Sequence, residues 1–65
     1  MKEAEILWFA PHFKSRIYLC SYKSSLGYVY GLCRSKRIFE VGARAPIGFI
    51  KRGDDYKMYI RKEDN

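Results

Sequence analysis

Residues 16–34 read Arg16-Ile17-Tyr18-Leu19-Cys20-Ser21-Tyr22-Lys23-Ser24-Ser25-Leu26-Gly27-Tyr28-Val29-Tyr30-Gly31-Leu32-Cys33-Arg34. Both flanks are rich in β-branched and aromatic residues. Between them, Ser24-Ser25-Leu26-Gly27 has turn chemistry, with Gly27 free to take a positive φ. The stretch predicts two antiparallel strands, 16–23 and 27–34, joined by a tight turn. A bulge at Gly27 would set Ser24 against Tyr28, Tyr22 against Tyr30, Cys20 against Leu32 and Tyr18 against Arg34. Side chains alternate between the faces of a strand. One face would then carry Tyr18, Cys20, Tyr22, Tyr28, Tyr30, Leu32 and Arg34. The other would carry Ile17, Leu19, Ser21, Val29, Gly31 and Cys33. The second set is aliphatic and small and suits an interior, which leaves four tyrosines and a cation outside. The two cysteines face opposite ways in this register. A turn at Leu26-Gly27 would instead set them opposite one another.

The same signals recur outward from the hairpin. Further strands are expected at 3–10, 37–43, 46–51 and 55–62. Pro11 and His12 close the first, Ser35-Lys36 is a short polar joint, and Gly42 to Pro46 is a bend. Lys51-Arg52-Gly53-Asp54-Asp55 reads as a tight hairpin with Gly53 left-handed. Only residues 1–10 admit a helical reading, and there Ile6-Leu7-Trp8-Phe9 is continuous rather than periodic. Trp8 and Phe9 should point to opposite faces, one to the core and one to a rim or interface. Six short strands within 65 residues predict an all-β fold: a small antiparallel barrel or strongly bent meander sheet of five to six strands, of SH3-like or OB-like size. The runner-up is an α+β sheet capped by one short helix. Residues 1–65 form one domain, because so short a chain has too little surface for two cores.

Composition narrows the function. An apolar share of 48% with 17% aromatics excludes a disordered tail. No run approaches the roughly 18–20 apolar residues of a membrane helix. No signal-peptide pattern follows the acidic start, so a cytoplasmic location is expected, in the cell itself or in an infected host. The formal net charge of +6 is unevenly spread. Between residues 6 and 53, nine Lys and Arg face the single acid Glu40. Both ends are mildly acidic. A concentrated positive field attracts polyanions and speeds their association.

Aromatic rings interleaved with cations form the pattern that binds unpaired bases and their phosphates. On this reading Tyr18, Tyr22, Tyr28 and Tyr30 stack on bases. Arg16, Arg34, Lys36 and Arg37 neutralise phosphates, and Lys14, Arg44, Lys51 and Arg52 form an outer field. No recognition helix is evident, so single-stranded DNA or RNA is expected rather than the base edges of a duplex. In the last strand, Tyr56, Met58 and Ile60 share a face; Lys57, Tyr59 and Arg61 form a second basic–aromatic set on the other. An exposed last strand leaves pairing with a second copy open. Blander readings compete. Tyrosine is a good strand former, and cross-strand tyrosine pairs contribute roughly 0.2–1 kcal/mol by packing alone. Basic residues also keep small proteins soluble. Tyr and Arg are enriched at protein interfaces too. The alternative is therefore a small inhibitor or adaptor acting on an acidic protein surface, of the kind a phage or mobile element uses to block a host enzyme or nucleic-acid-binding protein.

Nothing in the sequence assembles a catalytic centre, a cofactor site or a metal site. His12 is the only histidine, beside Pro11, and Cys20 and Cys33 lack the close spacing of zinc ligands. In a cytosolic setting both thiols should be reduced. No Gly-rich phosphate loop is present. Arg52-Gly53-Asp54 spells an adhesion tripeptide, but its Gly-Asp pair is accounted for by turn chemistry. Trp8-Phe9 followed by Lys14 resembles the opening of cold-shock domains. The resemblance stops there: Arg16-Ile17-Tyr18-Leu19 stands near the place of that family's aromatic run, so no family site carries over.

Overall fold

Three two-residue turns set the ends of the strands in the structure, a computed structural model that describes residues 1–62. They are Phe13-Lys14, Ser25-Leu26 and Gly53-Asp54, flanked by the pairs His12 with Ser15, Ser24 with Gly27, and Arg52 with Asp55. The strands are β1 (Glu3–His12), β2 (Ser15–Ser24), β3 (Gly27–Ser35), β4 (Arg44–Arg52) and β5 (Asp55–Ile60). All pair antiparallel in the order β3-β2-β1-β4-β5. The result is the small all-β barrel expected from the sequence, with five strands. No helix occurs among the described residues, so the α+β alternative falls away, and no helix is long and apolar enough to cross a membrane.

The central hairpin is shifted one residue from its expected frame. The Ser24 hydroxyl accepts a hydrogen bond from the Leu26 N–H (3.2 Å) and donates one to the Gly27 carbonyl (2.8 Å). That closes the turn at Ser25-Leu26. Tyr22 therefore pairs with Val29, Cys20 with Gly31 and Tyr18 with Cys33. A one-residue slip reverses the face of a whole strand. The outer set expected on β3 stays outside, but Tyr18, Cys20 and Tyr22 of β2 turn inward. Tyr18 and Cys20 are fully buried beside Ala4, Ile6, Cys33, Ala45, Ile47, Met58 and Ile60, with Phe9, Tyr22, Phe39 and Phe49 packed against them. The cysteines thus share the interior, contrary to the expected register, and remain free thiols. They are offset diagonally, because each pairs with the strand neighbour's residue two places from the other. The hydrogen bond of Cys20 toward Cys33, together with burial, holds the Cys20 pKa far above the usual thiol value.

A bulge between Ile6 and Trp8 realigns β1 against β2. It lets Ile6 and Phe9 both face the core while Trp8 points outward and stays half exposed. The division of Trp8 and Phe9 between two faces follows the sequence reading. β1 also continues past its expected end to His12. Since β4 pairs with β1 only through Glu5, Pro11 occupies a stretch with one open edge, where a missing N–H is tolerated.

The strand expected at 37–43 is a crossover loop instead. β3 lies at one edge of the sheet and β4 must reach the far side of β1, so the chain has to cross the end of the barrel. The buried Tyr18 hydroxyl fixes this path. It donates to the Arg37 carbonyl (2.6 Å) and accepts from the Phe39 N–H (3.0 Å), while the Phe39 ring packs edge-on against Tyr18. Gly42, at a φ of 92°, then turns the chain so that its N–H reaches the Ile6 carbonyl (2.7 Å).

β3 and β5 nearly close the barrel. Their approach depends on Gly31: a Cβ there would lie 3.1 Å from the Met58 Cβ. Next to it, the Cys33 thiol reaches the Met58 carbonyl at 3.5 Å. Gly31→Val is expected to wedge the seam open and cost about 1–3 kcal/mol, as overpacking does. A lowered urea midpoint checks this, and an unchanged midpoint would mean that the seam yields freely.

Two of the hairpin turns begin with a residue of positive φ. In the β4–β5 turn it is Gly53 (61°), as the sequence indicated; in the β1–β2 turn it is Phe13 (56°). A non-glycine side chain held in that region stores about 1–3 kcal/mol of strain.

Candidate functional site

Antiparallel pairing puts the β1–β2 turn, the end of β3 and the end of β5 at one pole of the barrel. There they enclose an open groove of about 860 Å³, lined by Phe13, Lys14, Ser15, Arg34, Ser35, Lys36, Arg37, Ile60 and Lys62. Five of these residues are cations, and none of the lining residues is acidic. Glu63 and Asp64, part of the acidic C-terminal end, lie outside the described residues. Such a groove concentrates positive potential against a low-dielectric wall and favours anionic ligands.

Each cation is positioned differently. Arg34 is exposed at the end of β3, and Lys36 at the start of the crossover. Arg37 is braced: its Nη1 donates to the Arg61 carbonyl (2.9 Å), its guanidinium lies 5.0 Å from the Phe39 ring centre, and its N–H donates to the Ser35 hydroxyl (3.0 Å). Tyr18 anchors the same residue through its carbonyl. A buried tyrosine thus holds a groove cation in place.

Of the cations singled out in the sequence, the groove brings together Lys14, Arg34, Lys36 and Arg37. Arg16 is committed elsewhere. It stacks 4.1 Å from the Phe9 ring centre and its Nη1 reaches the Phe39 carbonyl at 3.5 Å. It caps the end of the core rather than the groove. Arg44 is exposed on β4, 3.7 Å from a Glu3 carboxylate oxygen. Lys51 and Arg52 lie by the β4–β5 turn at the opposite pole. Phe13, Ile60 and Lys62 line the groove without having been singled out. The available signal was an aromatic at position 13, where a turn ordinarily takes Gly, Asn or Asp.

The tyrosines divide. Tyr18 is buried and Tyr22 packs against Phe49 with ring centres 5.5 Å apart, so the stacking role expected of these two is corrected to a structural one. The cause is the one-residue register shift. Tyr28 and Tyr30 remain outside, each about three-fifths exposed, with rings 6.4 Å apart and 23° from parallel. They continue along the outer face of β3 through Leu32 to Arg34. Alternate residues of a strand are spaced about 6.6 Å apart, so this row leads from the tyrosine pair into the groove. Across the same face, Trp8, Leu19 and Leu32 align in register over β1, β2 and β3. On the last hairpin Lys57 and Tyr59 face out as expected. The Tyr59 ring lies over Gly48, where a Cβ would come 2.6 Å from its hydroxyl.

Among the described residues no group of three or more His, Cys, Asp or Glu gathers to hold a metal ion. His12 has a buried Nδ1 without a hydrogen-bond partner, and its ring meets Phe13 edge-on at 4.8 Å. Fold and site together define a small, nearly closed five-stranded barrel with a cationic groove at one pole and an aromatic outer face. No protein-family model matches the sequence, and neither a curated protein nor a solved structure matches it.

Proposed function

We propose that the protein is a non-enzymatic binder of single-stranded nucleic acid. The strand follows the outer face of β3, with bases on Tyr28 and Tyr30 and phosphates on Arg34, Lys14, Lys36 and Arg37. The observation that carries this reading is the continuity between a groove lined by five cations and a face bearing two exposed, stacked tyrosines. Cations take phosphates in any sequence, and aromatic faces take any unpaired base. A duplex hides its bases from such a row. No cofactor is required.

Fluorescence anisotropy with labelled oligo(dT), oligo(rU) and a duplex of equal length tests the proposal. Single strands should bind more tightly than the duplex, and affinity should fall steeply between about 50 and 200 mM salt. Tyr28→Ala with Tyr30→Ala should weaken single-strand binding about ten-fold or more. The salt slope should stay as it was, because stacking releases no counterions. Equal affinity for the duplex, or an unchanged affinity in the double variant, counts against the reading.

The in-register row Trp8–Leu19–Leu32 favours a second reading, a protein-binding inhibitor or adaptor. Exposed Trp is over-represented among the residues that dominate protein interfaces. A stoichiometric protein retained from nuclease-treated lysate, with no anisotropy change on any oligonucleotide, would select this reading over the first.

A further inference from the structure

From the β1–β2 turn we infer that Phe13 is a base-stacking anchor of the groove, seating an unpaired base whose flanking phosphates lie on Lys14 and Arg34. This deepens the nucleic-acid reading and rests on it. Three observations converge on one side chain. Phe13 is 95% exposed, the largest exposure of any aromatic ring in the described chain, so burial gives almost no reason for a phenyl group there. Its backbone is left-handed, at a φ of 56°, in the first position of a two-residue hairpin turn. That position ordinarily takes glycine when the second residue has negative φ. The protein supplies its own control, since the β4–β5 turn has Gly53 at the equivalent place with a φ of 61°. Finally, the ring borders the groove that Lys14, Arg34, Lys36 and Arg37 surround.

A strained and exposed aromatic weakens the fold for no structural return, and such outliers concentrate where ligands are held. At the lip of a cationic groove the missing partner is a flat, apolar surface joined to negative charge. An unpaired nucleobase within a phosphodiester chain has both. Inorganic polyphosphate has the charge without the flat surface. The His12 ring stands nearly perpendicular to the phenyl ring at 4.8 Å between centres, and Phe13 is still 95% exposed beside it.

The test separates fold from binding. Melting temperature and affinity are measured for the wild type, Phe13→Gly, Phe13→Asn and Phe13→Trp, with oligo(dT) and inorganic polyphosphate as ligands. Gly and Asn both accept the left-handed conformation. Their melting temperatures should be unchanged or raised by a few degrees, while oligo(dT) affinity falls about ten-fold. Polyphosphate affinity should not change, and Phe13→Trp should retain oligo(dT) binding. Gly and Asn variants that bind oligo(dT) as the wild type does overturn the inference and leave the nucleic-acid reading standing. So does a lowered melting temperature in both variants, which would make the ring structural. A wild type that binds no single strand overturns the reading itself, and this inference with it.

Discussion

Tyr18→Ala is expected to leave most of the chain unfolded in water. Tyr18 is fully buried, packs against the Phe9 and Phe39 rings, and is the largest side chain wholly enclosed by the core. Truncating a buried aromatic typically costs about 3–5 kcal/mol through lost transfer energy and the cavity left behind. Here the loss also strips the Arg37 carbonyl and the Phe39 N–H of their partner, at about 1–3 kcal/mol for a group left unsatisfied. A domain of 65 residues has roughly 3–10 kcal/mol of total stability, so little or none would remain. Tyr18→Phe isolates the hydroxyl. It should keep the fold, lower stability by about 1–3 kcal/mol, and loosen the crossover that holds Arg37 beside the groove. Urea unfolding followed by far-ultraviolet circular dichroism measures both variants. A folded Tyr18→Ala of near-wild-type midpoint would contradict the structural role assigned to this ring.

The largest effect on binding is expected from Arg34→Glu combined with Lys36→Glu. Both side chains are exposed, so the fold should tolerate the change. The five groove cations become three cations and two anions, lowering the formal charge of the lining from +5 to +1. Loss of two phosphate contacts removes about 0.7 units of salt slope each for a single strand, roughly 1.4 in all. At low salt, where counterion release is worth most, affinity should fall by about 100-fold or more. The wild type and the variant should converge as salt rises. Titrations at several salt concentrations give slope and intercept together. A weaker complex with an unaltered slope would mean that these side chains do not contact phosphate.

The sequence displayed the strands more clearly than their registration. Ile17, Leu19 and Leu32 are as apolar as Tyr18, Cys20 and Tyr22, so neither face of the central hairpin declared itself by polarity, and alternation alone could not choose the frame. The Ser24 hydroxyl, bonded to both the Leu26 N–H and the Gly27 carbonyl, closes the turn one residue early. The crossover was hidden for a related reason. Residues 37–43 hold the β-formers Ile38, Phe39 and Val41, and the contact that makes them a loop comes from Tyr18, some twenty residues away in sequence. The cations of the groove were visible as a charge bias. Their convergence was not, because Lys14, Arg34 and Lys62 come from three separate strand ends. Arg16 shows how little charge alone conveys: its guanidinium serves the Phe9 ring and the Phe39 carbonyl.

The strand order has a kinetic consequence. β1, β2 and β3 pair through turns of two residues, whereas β4 reaches β1 only by matching Arg44, Ala45 and Pro46 with Glu5, Ala4 and Glu3 across most of the chain. Local hairpins close early and long-range pairing late, because chain entropy opposes the distant contact until other interactions reward it. The nascent three-stranded sheet therefore shows Ile6, Tyr18, Cys20 and Cys33 to water until the β4–β5 hairpin docks over them. During that interval the same residues that complete the mature core are a sticky surface for any neighbouring chain.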